Sequence, residues 1–512
     1  MGQCLVSRDF ITAVFCCVDD FQKYSKDVPT PKILCNNYLQ SYIIRNILGM
    51  ITTLDNPNTA TILPGGNDPT SFDRLEAWYP IYYVRDLNKN KLSRFTLLNI
   101  DLVIWWDKST DTWRVFEDKC PHRLAPLSEG RVNESGLLEC PYHGWAFSGD
   151  GKCEVIPQQQ PGGEAHTSSR ACVRSYPTAI AQGLLFTYPG IEENAVKTPV
   201  PIIEPMEEDP DAWVCLNIFR DLPYDAITLL ENVIDASHIP YTHHKTVGNR
   251  DNVAPLELEV TESNKQGFKG VWQEGPRKGK LGTQYTTFTA PCLMWHDLTS
   301  KQFGRTLTVV YATPISKGKC RLFARFPFKF SSPFPRFFIK LAPQWYNHVN
   351  QNGVLEDDQI FLHHQERYLA ALGGGEKYSK AFYLPTKADL YVSELRQWVN
   401  LYHADPFPNE DLPPALSKEQ LLDRYHSHTK NCASCSQALK NIKKIKQIAI
   451  ALVILACAIT PLISLFINIS PTPTAISLSV TLLISSVAWW QLDKLERKFY
   501  RGVETPPRNL SN

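Results

Sequence analysis

The chain has 512 residues, 43% of them hydrophobic, which is enough apolar material for two or three cores, so a multidomain protein is expected. A net charge of +1, with basic residues spread along the chain, argues against nucleic acid as a partner. Fourteen cysteines suit metal-bound and free thiols in a reducing compartment better than a secreted disulfide scaffold.

Residues 1–70 read as an N-terminal extension. They hold no long apolar run followed by a small-residue cleavage site, and Asp9, Asp19 and Asp20 argue against a transit peptide. Met-Gly-Gln-Cys-Leu-Val-Ser misses the myristoylation pattern by one position. Met50 opens a polar stretch bearing Pro and Gly, and translation is expected to start there.

From Trp78 the chain turns to short β-type runs around Tyr82 to Val84, Leu97 to Ile100 and Val103 to Trp106. Asn-Lys-Asn, Lys-Ser-Thr-Asp and Ser-Gly-Asp-Gly turns separate these and the following runs. This spacing predicts an antiparallel all-β module. Within it stand Cys120-Pro-His122 and, after 17 intervening residues, Cys140-Pro-Tyr-His143. Two thiolates and two imidazoles so spaced suit a binuclear iron-sulfur cluster with one iron held by cysteines and the other by histidines. A mononuclear zinc site could use the same four side chains, but it has no need of Pro after each cysteine or of small-residue loops beside the metal. CPHR…CPYHGW resembles the Rieske domain of ring-hydroxylating and related non-haem iron oxygenases. On that resemblance Cys120, His122, Cys140 and His143 would hold a [2Fe-2S] cluster at the tip of a domain over residues 71–195. Cys153 and Cys172 read as packing or surface thiols, and the Pro- and Glu-rich stretch from Thr198 to Pro210 reads as a linker.

A strand over Trp213 to Phe219 precedes Asp225-Ala-Ile-Thr-Leu-Leu-Glu-Asn-Val-Ile-Asp-Ala-Ser-His238. The pattern predicts one helix with Asp225 as N-cap and Pro240 as its stop, carrying Asn232, Asp235 and His238 on a common side. His243 and His244 follow. Two imidazoles need a carboxylate to complete the facial triad of a ferrous oxygenase, and the acidic run Leu355-Glu-Asp-Asp-Gln-Ile-Phe-Leu-His-His-Gln-Glu366 offers one. The segment resembles the catalytic domain of the Rieske oxygenases, a resemblance that assigns mononuclear Fe(II) to His238, His243 and Asp358. It favours Asp358 over Asp357 and keeps His244 as the alternative to His243. His363 and His364 read as pocket or supporting residues. The resemblance further implies that Asp235 bridges a cluster histidine of one subunit to an iron histidine of its neighbour in a ring oligomer, commonly a trimer. It implies a helix-grip (START/Bet v 1-like) catalytic domain over 205–420, an α+β fold overall, with strands at Thr306 to Thr313 and Cys320 to Phe330. Phe326, Phe328, Phe330, Trp345 and Tyr346 are candidate linings of a large apolar cavity.

Over 424–440, His426-Ser-His428-Thr-Lys-Asn-Cys432-Ala-Ser-Cys435 is open between a redox dithiol and a zinc site. Then come 20 uncharged residues, Ile448 to Ile467, and 17 more, Thr474 to Trp490, with Ser470-Pro-Thr-Pro473 expected as a tight turn. Lys440, Lys443, Lys444 and Lys446 before the pair, and Lys494, Arg497, Lys498 and Arg501 after it, predict a two-pass membrane hairpin over 448–491. Both its ends would lie on the cytoplasmic or stromal side, with Trp489 and Trp490 at the interface. This order of parts resembles the pheophorbide a oxygenase group, together with protochlorophyllide-related oxygenases and the Rieske component of the chloroplast inner-envelope translocon, a group related to chlorophyllide a oxygenase. The resemblance implies a monooxygenase that acts on a chlorophyll-type tetrapyrrole such as pheophorbide a, with thioredoxin-sensitive regulation through Cys432 and Cys435. The alternatives are a chlorophyllide a oxygenase-like enzyme, an oxygenase of sterols or other aromatics, and a translocon-type redox protein without turnover. The sequence contains no flavin or nicotinamide fingerprint, so electrons are expected from ferredoxin or a separate reductase.

Overall fold

A computed structural model describes residues 71–300, 304–467 and 471–510, so the expected extension and its start at Met50 lie outside the described residues. The first half of the described chain supplies eleven strands: β1 (Tyr79–Tyr83), β2 (Ser93–Leu97), β3 (Ile100–Asp107), β4 (Thr112–Glu117), β5 (Arg131–Val132), β6 (Leu138–Glu139), β7 (Ala146–Phe147), β8 (Cys153–Val155), β9 (Ser175–Tyr176), β10 (Thr178–Ala181) and β11 (Leu184–Thr187). They form three antiparallel sheets in the orders β1-β11-β10, β2-β3-β4-β9 and β5-β6-β7-β8. The apolar run expected as strand at Leu97 to Ile100 is instead the β2–β3 hairpin turn. Leu98 and Asn99 both have positive φ, the geometry that matches strand twist in a two-residue connection. Leu98 is apolar because it is buried: its N–H donates to Pro314 O (3.1 Å), across to the second half of the chain.

Residues 198–210 do not hang free as a linker. Trp78 Nε1 donates to Thr198 O and Gln182 Nε2 to Ile203 O, both at 2.9 Å, and Ile203 is fully buried. Seven further strands follow: β12 (Val214–Leu222), β13 (Leu258–Asn264), β14 (Gly267–Trp272), β15 (Gln284–Thr289), β16 (Leu293–Ser300), β17 (Gly304–Ser316) and β18 (Lys319–Lys329). They make one antiparallel sheet in the order β12-β18-β17-β16-β15-β14-β13. Against it pack α1 (Ala226–Ile234), the 28-residue α3 (Gln344–Ala371) and α4 (Leu390–Leu401), while the short α2 (Ile239–Thr242) follows α1 in the chain. β17 is apolar on both faces because it is covered twice, by α1 on one side and by β1 and β2 on the other. Gly270 leaves the space that Tyr391 of α4 fills; a Cβ there would sit 2.4 Å from its ring. The result is a seven-stranded sheet gripping helices, with the iron-sulfur-type module welded to its back. Thr313 Oγ1 donates to Pro80 O (2.7 Å) and Arg321 Nη1 to Ile81 O (3.2 Å).

α5 (Ala433–Ile467) and α6 (Pro471–Arg497) form the C-terminal hairpin, and both are long and apolar enough to cross a membrane. Cys435 lies in the first turn of α5. Pro471 and Pro473 belong to the first turn of α6, where a missing N–H costs nothing, so they start the helix instead of forming the turn. Ile448, Leu452, Ile454, Leu455, Leu483 and Ile484 face outward along the pair. At its base Lys446 pairs with Asp493 (2.6 Å) and Glu496 (2.9 Å) and lies over the Trp489 ring. After α6 the chain returns to the segment before α5: Arg424 N donates to Tyr500 O and Gly502 N to Leu422 O, both at 2.9 Å.

Candidate metal centres

The two Cys-Pro loops have the same conformation. Leu124 N donates to Cys120 O (2.9 Å) and Gly144 N to Cys140 O (3.1 Å). Cys120 N then reaches Ala125 O (2.9 Å), and Cys140 N reaches Trp145 O (2.8 Å). The fifth residue of each loop needs positive φ. Gly144 adopts it at 74° without strain, while Leu124 adopts it at 59°. Both sulfurs are buried side by side, whereas His122 and His143 stand at the surface with ring centroids 4.6 Å apart, and His122 is stacked on Trp145 at 4.5 Å. Burial pushes the Cys120 thiol up to about 12, with the His122 N–H opposing and neighbouring Cys140 adding to the rise. A buried dithiol beneath two outward imidazoles fits a cluster with its cysteine iron inside and its histidine iron exposed.

The second centre departs from the expected single helix. α1 stops at Ile234 because Asp235 Oδ1 accepts the Ser237 N–H (2.7 Å), a local turn that competes with the next helical bond. His238 then caps α2, and Pro240 lies inside that short helix rather than ending the first. Asp225 does hold the N-cap position, but its side chain accepts from Gly318 N and Lys317 Nζ instead of capping. The break is what carries His238 to His243. Their Nε2 atoms are 3.3 Å apart, His243 Nε2 is 3.3 Å from Asp358 Oδ2, and His238 Nε2 is 4.0 Å from Asp358 Oδ1. A metal about 2.1 Å from three mutually cis donors needs spacings of about 3.0 Å, so this set can close on one ion. Each imidazole has its other nitrogen engaged, His238 Nδ1 with Asp235 O (2.5 Å) and His243 Nδ1 with Asp357 Oδ2 (3.3 Å), leaving both Nε2 atoms free for an ion. Asn232 Nδ2 donates to Asp358 Oδ1 at 3.4 Å. Burial holds the Asp358 carboxyl above the usual carboxylate range, with His238 and His243 opposing the rise.

Three consecutive buried acids on α3 serve three different partners, because successive residues point about 100° apart around a helix. Glu356 accepts from Arg220 Nη1 (2.8 Å) and from Arg424 Nε and Nη2 (2.7 Å each). Asp357 accepts from His243 and from Thr246 Oγ1 (3.0 Å), and Asp358 faces the imidazoles. Arg508, beyond the hairpin, donates from Nη1 to Asp357 O (2.7 Å) and Thr242 O (3.0 Å), the carbonyls beside two of the three metal-facing residues. Sequence reasoning missed the roles of Asp357, Thr246 and Arg508; only the unbroken acidic run hinted at the first.

Other candidates lie elsewhere. His244 turns outward and its Nδ1 accepts the Arg250 N–H. His363 is a strut rather than a pocket residue, with its two ring nitrogens bonded to Pro223 O and Leu416 N, and His364 stacks on Tyr368. Trp345 packs on Phe499, Phe328 stacks with Phe330 and Tyr346 is half exposed. A cleft of about 570 Å³ among the described residues is lined instead by polar groups such as Arg94, Asp221, Lys319 and Lys430. His426 pairs with Asp423 at the surface, whereas His428 is buried with Cys432 and Cys435. Asp235 keeps one carboxylate oxygen 3.8 Å from His238 Nδ1 and is partly open to solvent.

A family model described as the Rieske [2Fe-2S] domain matches residues 77–177, and one described as pheophorbide a oxygenase matches residues 288–376. The chloroplastic pheophorbide a oxygenase of Oryza sativa subsp. japonica is 36% identical over 437 residues, covering 78% of this chain and 81% of that protein. The chain belongs to the pheophorbide a oxygenase group of Rieske oxygenases. Chloroplastic flavonoid 8-hydroxylase 2 of Ocimum basilicum is 35% identical over 424 residues, covering 76% of this chain and 78% of that protein. Among solved structures, Pseudomonas putida CBB5 NdmA with caffeine overlays with a TM-score of 0.51 at 19% identity, over 67% of this chain and all but 2% of its own, a likeness of fold. As a Rieske oxygenase this chain takes a [2Fe-2S] cluster and a mononuclear iron, and its two donor sets are suited one to each.

Proposed function

We propose that this is a membrane-anchored monooxygenase of a chlorophyll-type tetrapyrrole, most similar in activity to pheophorbide a oxygenase. The observation that carries it is the convergence of His238, His243 and Asp358 in a chain that also presents a Rieske loop pair and is 36% identical to a pheophorbide a oxygenase. Cys120, His122, Cys140 and His143 would hold the cluster, and His238, His243 and Asp358 the Fe(II). When bound, the cluster passes single electrons and the ferrous centre activates O2. The chain's own residues set the conditions: Asp357 and the Asp235 carbonyl hold the imidazole N–H groups away from the ion, and Asn232 steadies Asp358. On this reading the part-exposed Asp235 carboxylate would accept a hydrogen bond from a cluster histidine of a neighbouring subunit in a trimer-type ring.

Electrons come from ferredoxin or a separate reductase. The apolar outward faces of α5 and α6 and the charged, Trp-bearing base of the hairpin support anchoring, with the metal-bearing half on the cytoplasmic or stromal side. The likeness to a flavonoid 8-hydroxylase favours a second reading, oxygenation of another aromatic. Full-length protein in detergent, loaded with iron and supplied with ferredoxin and its reductase, should consume O2 only when a substrate is present. Oxygenated pheophorbide a as the product supports the first reading. Turnover of chlorophyllide a, flavonoids or sterols alone replaces it, and no substrate-dependent O2 uptake with both metals loaded leaves a redox protein without turnover.

A further inference from the structure

Four buried side chains outside both iron centres converge on a single point. His348 lies on α3, His428 in the π-helical turn Tyr425–Thr429, Cys432 just before α5 and Cys435 in its first turn, and their ligand atoms all lie within 4.8 Å of one another. His348 Nδ1 is 3.4 Å from each sulfur, and His428 Nε2 is 3.3 Å from Cys435 Sγ. In a tetrahedron with Zn–S near 2.3 Å and Zn–N near 2.05 Å, the N···S edge is about 3.6 Å, a few tenths from these spacings. The opposite ring nitrogens are engaged by alternate carbonyls of β12: His348 Nε2 with Asn217 O (2.7 Å) and His428 Nδ1 with Phe219 O (2.6 Å). That is the outer-shell pattern that fixes a ligating tautomer and aims the free nitrogen at a metal.

We propose that His348, His428, Cys432 and Cys435 bind one Zn2+ as a closed structural site. Four protein donors leave no open coordination position, so the site holds structure and does not take a substrate. Binding displaces the two thiol protons to solvent and transfers no electron. A Cys432–Cys435 disulfide would instead remove both sulfur donors and leave His348 Nδ1 and His428 Nε2 buried without partners. Both cysteines are buried, each 1% exposed. The site joins segments far apart in sequence: α3, the start of the membrane hairpin, and through Asp86 the iron-sulfur-type module, where Asp86 Oδ1 accepts the Ala433 N–H (2.8 Å). On α3, His348 precedes Asp358 by ten residues, about 15 Å along the axis, so the same rigid helix carries a zinc ligand and an iron-facing carboxylate.

The test is metal analysis of the full chain purified in detergent without a metal-affinity step and dialysed against EDTA. About one zinc per chain should remain, and its X-ray absorption spectrum should show two sulfurs near ~2.3 Å and two nitrogens near ~2.0 Å. In the double variant Cys432→Ser/Cys435→Ser, zinc should fall below about a tenth per chain while the reduced cluster's electron paramagnetic signal persists. Absence of zinc from the wild type, a zinc shell without sulfur, zinc retained by the double variant, or a Cys432–Cys435 disulfide in anaerobically isolated protein would each overturn the proposal. The absorption measurement needs no variant, so a double variant that fails to fold leaves the test intact.

Discussion

Asp357 is the residue whose replacement bears most directly on how the iron-facing imidazole is held. It is buried, its Oδ2 accepts from His243 Nδ1 at 3.3 Å and from Thr246 Oγ1 at 3.0 Å, and its carbonyl is held by Arg508. Asp357→Asn keeps the shape but removes the charge that makes His243 a better donor, and it presents the ring N–H with an amide that can rotate an N–H toward it. Losses of this kind typically cost 10- to 100-fold in metal affinity or activity, about 1.4–2.7 kcal/mol. The assay is Fe(II) titration of iron-depleted, cluster-containing protein, followed by substrate-dependent O2 uptake at saturating iron. The expectation is weaker iron binding with an unchanged cluster spectrum. Iron affinity and turnover both within twofold of wild type would refute the claim that Asp357 positions His243.

Gly502→Ala should destabilise the protein by about 1–3 kcal/mol in thermal unfolding. The new Cβ would lie 2.2 Å from Glu356 Oε2, and that carboxylate is fixed between Arg220 and Arg424 and cannot yield. Arg508→Ala releases the carbonyls of Thr242 and Asp357 and should lower iron occupancy several-fold at limiting iron, a loss of about 1 kcal/mol or more, with the melting temperature nearly unchanged. Asp235→Asn should cut turnover by about 10- to 100-fold with both metals fully loaded, and full turnover in that variant would remove the inter-subunit bridge.

What could be read from the sequence was whatever is local. Each Cys-Pro loop is closed by its own backbone bonds, so its cysteine and histidine stand together in the string of letters. His238 and His243 were legible for the same reason, although the helix expected to present them breaks at Asp235, where a side-chain bond to the Ser237 N–H outcompetes helical continuation. Partners that arrive through the fold carried no local signal. His348 reads as an ordinary helical histidine until α3 is laid against β12 and α5, and Arg508 reads as a C-terminal basic residue until the chain returns from the hairpin. Aromatic residues at this density carry no positional signal of their own: Phe328 stacks on Phe330, and Trp345 meets Tyr346 and Phe499.

The central claim is that electrons stored at the Cys120–His143 loops are used on O2 at His238, His243 and Asp358. A single-turnover experiment tests it most directly: fully loaded protein is reduced chemically, freed of reductant, and mixed with pheophorbide a and 18O2. The account predicts 18O-labelled product from the wild type, and none from His243→Ala that still carries a reduced cluster. Labelled product in equal yield from both proteins would contradict it.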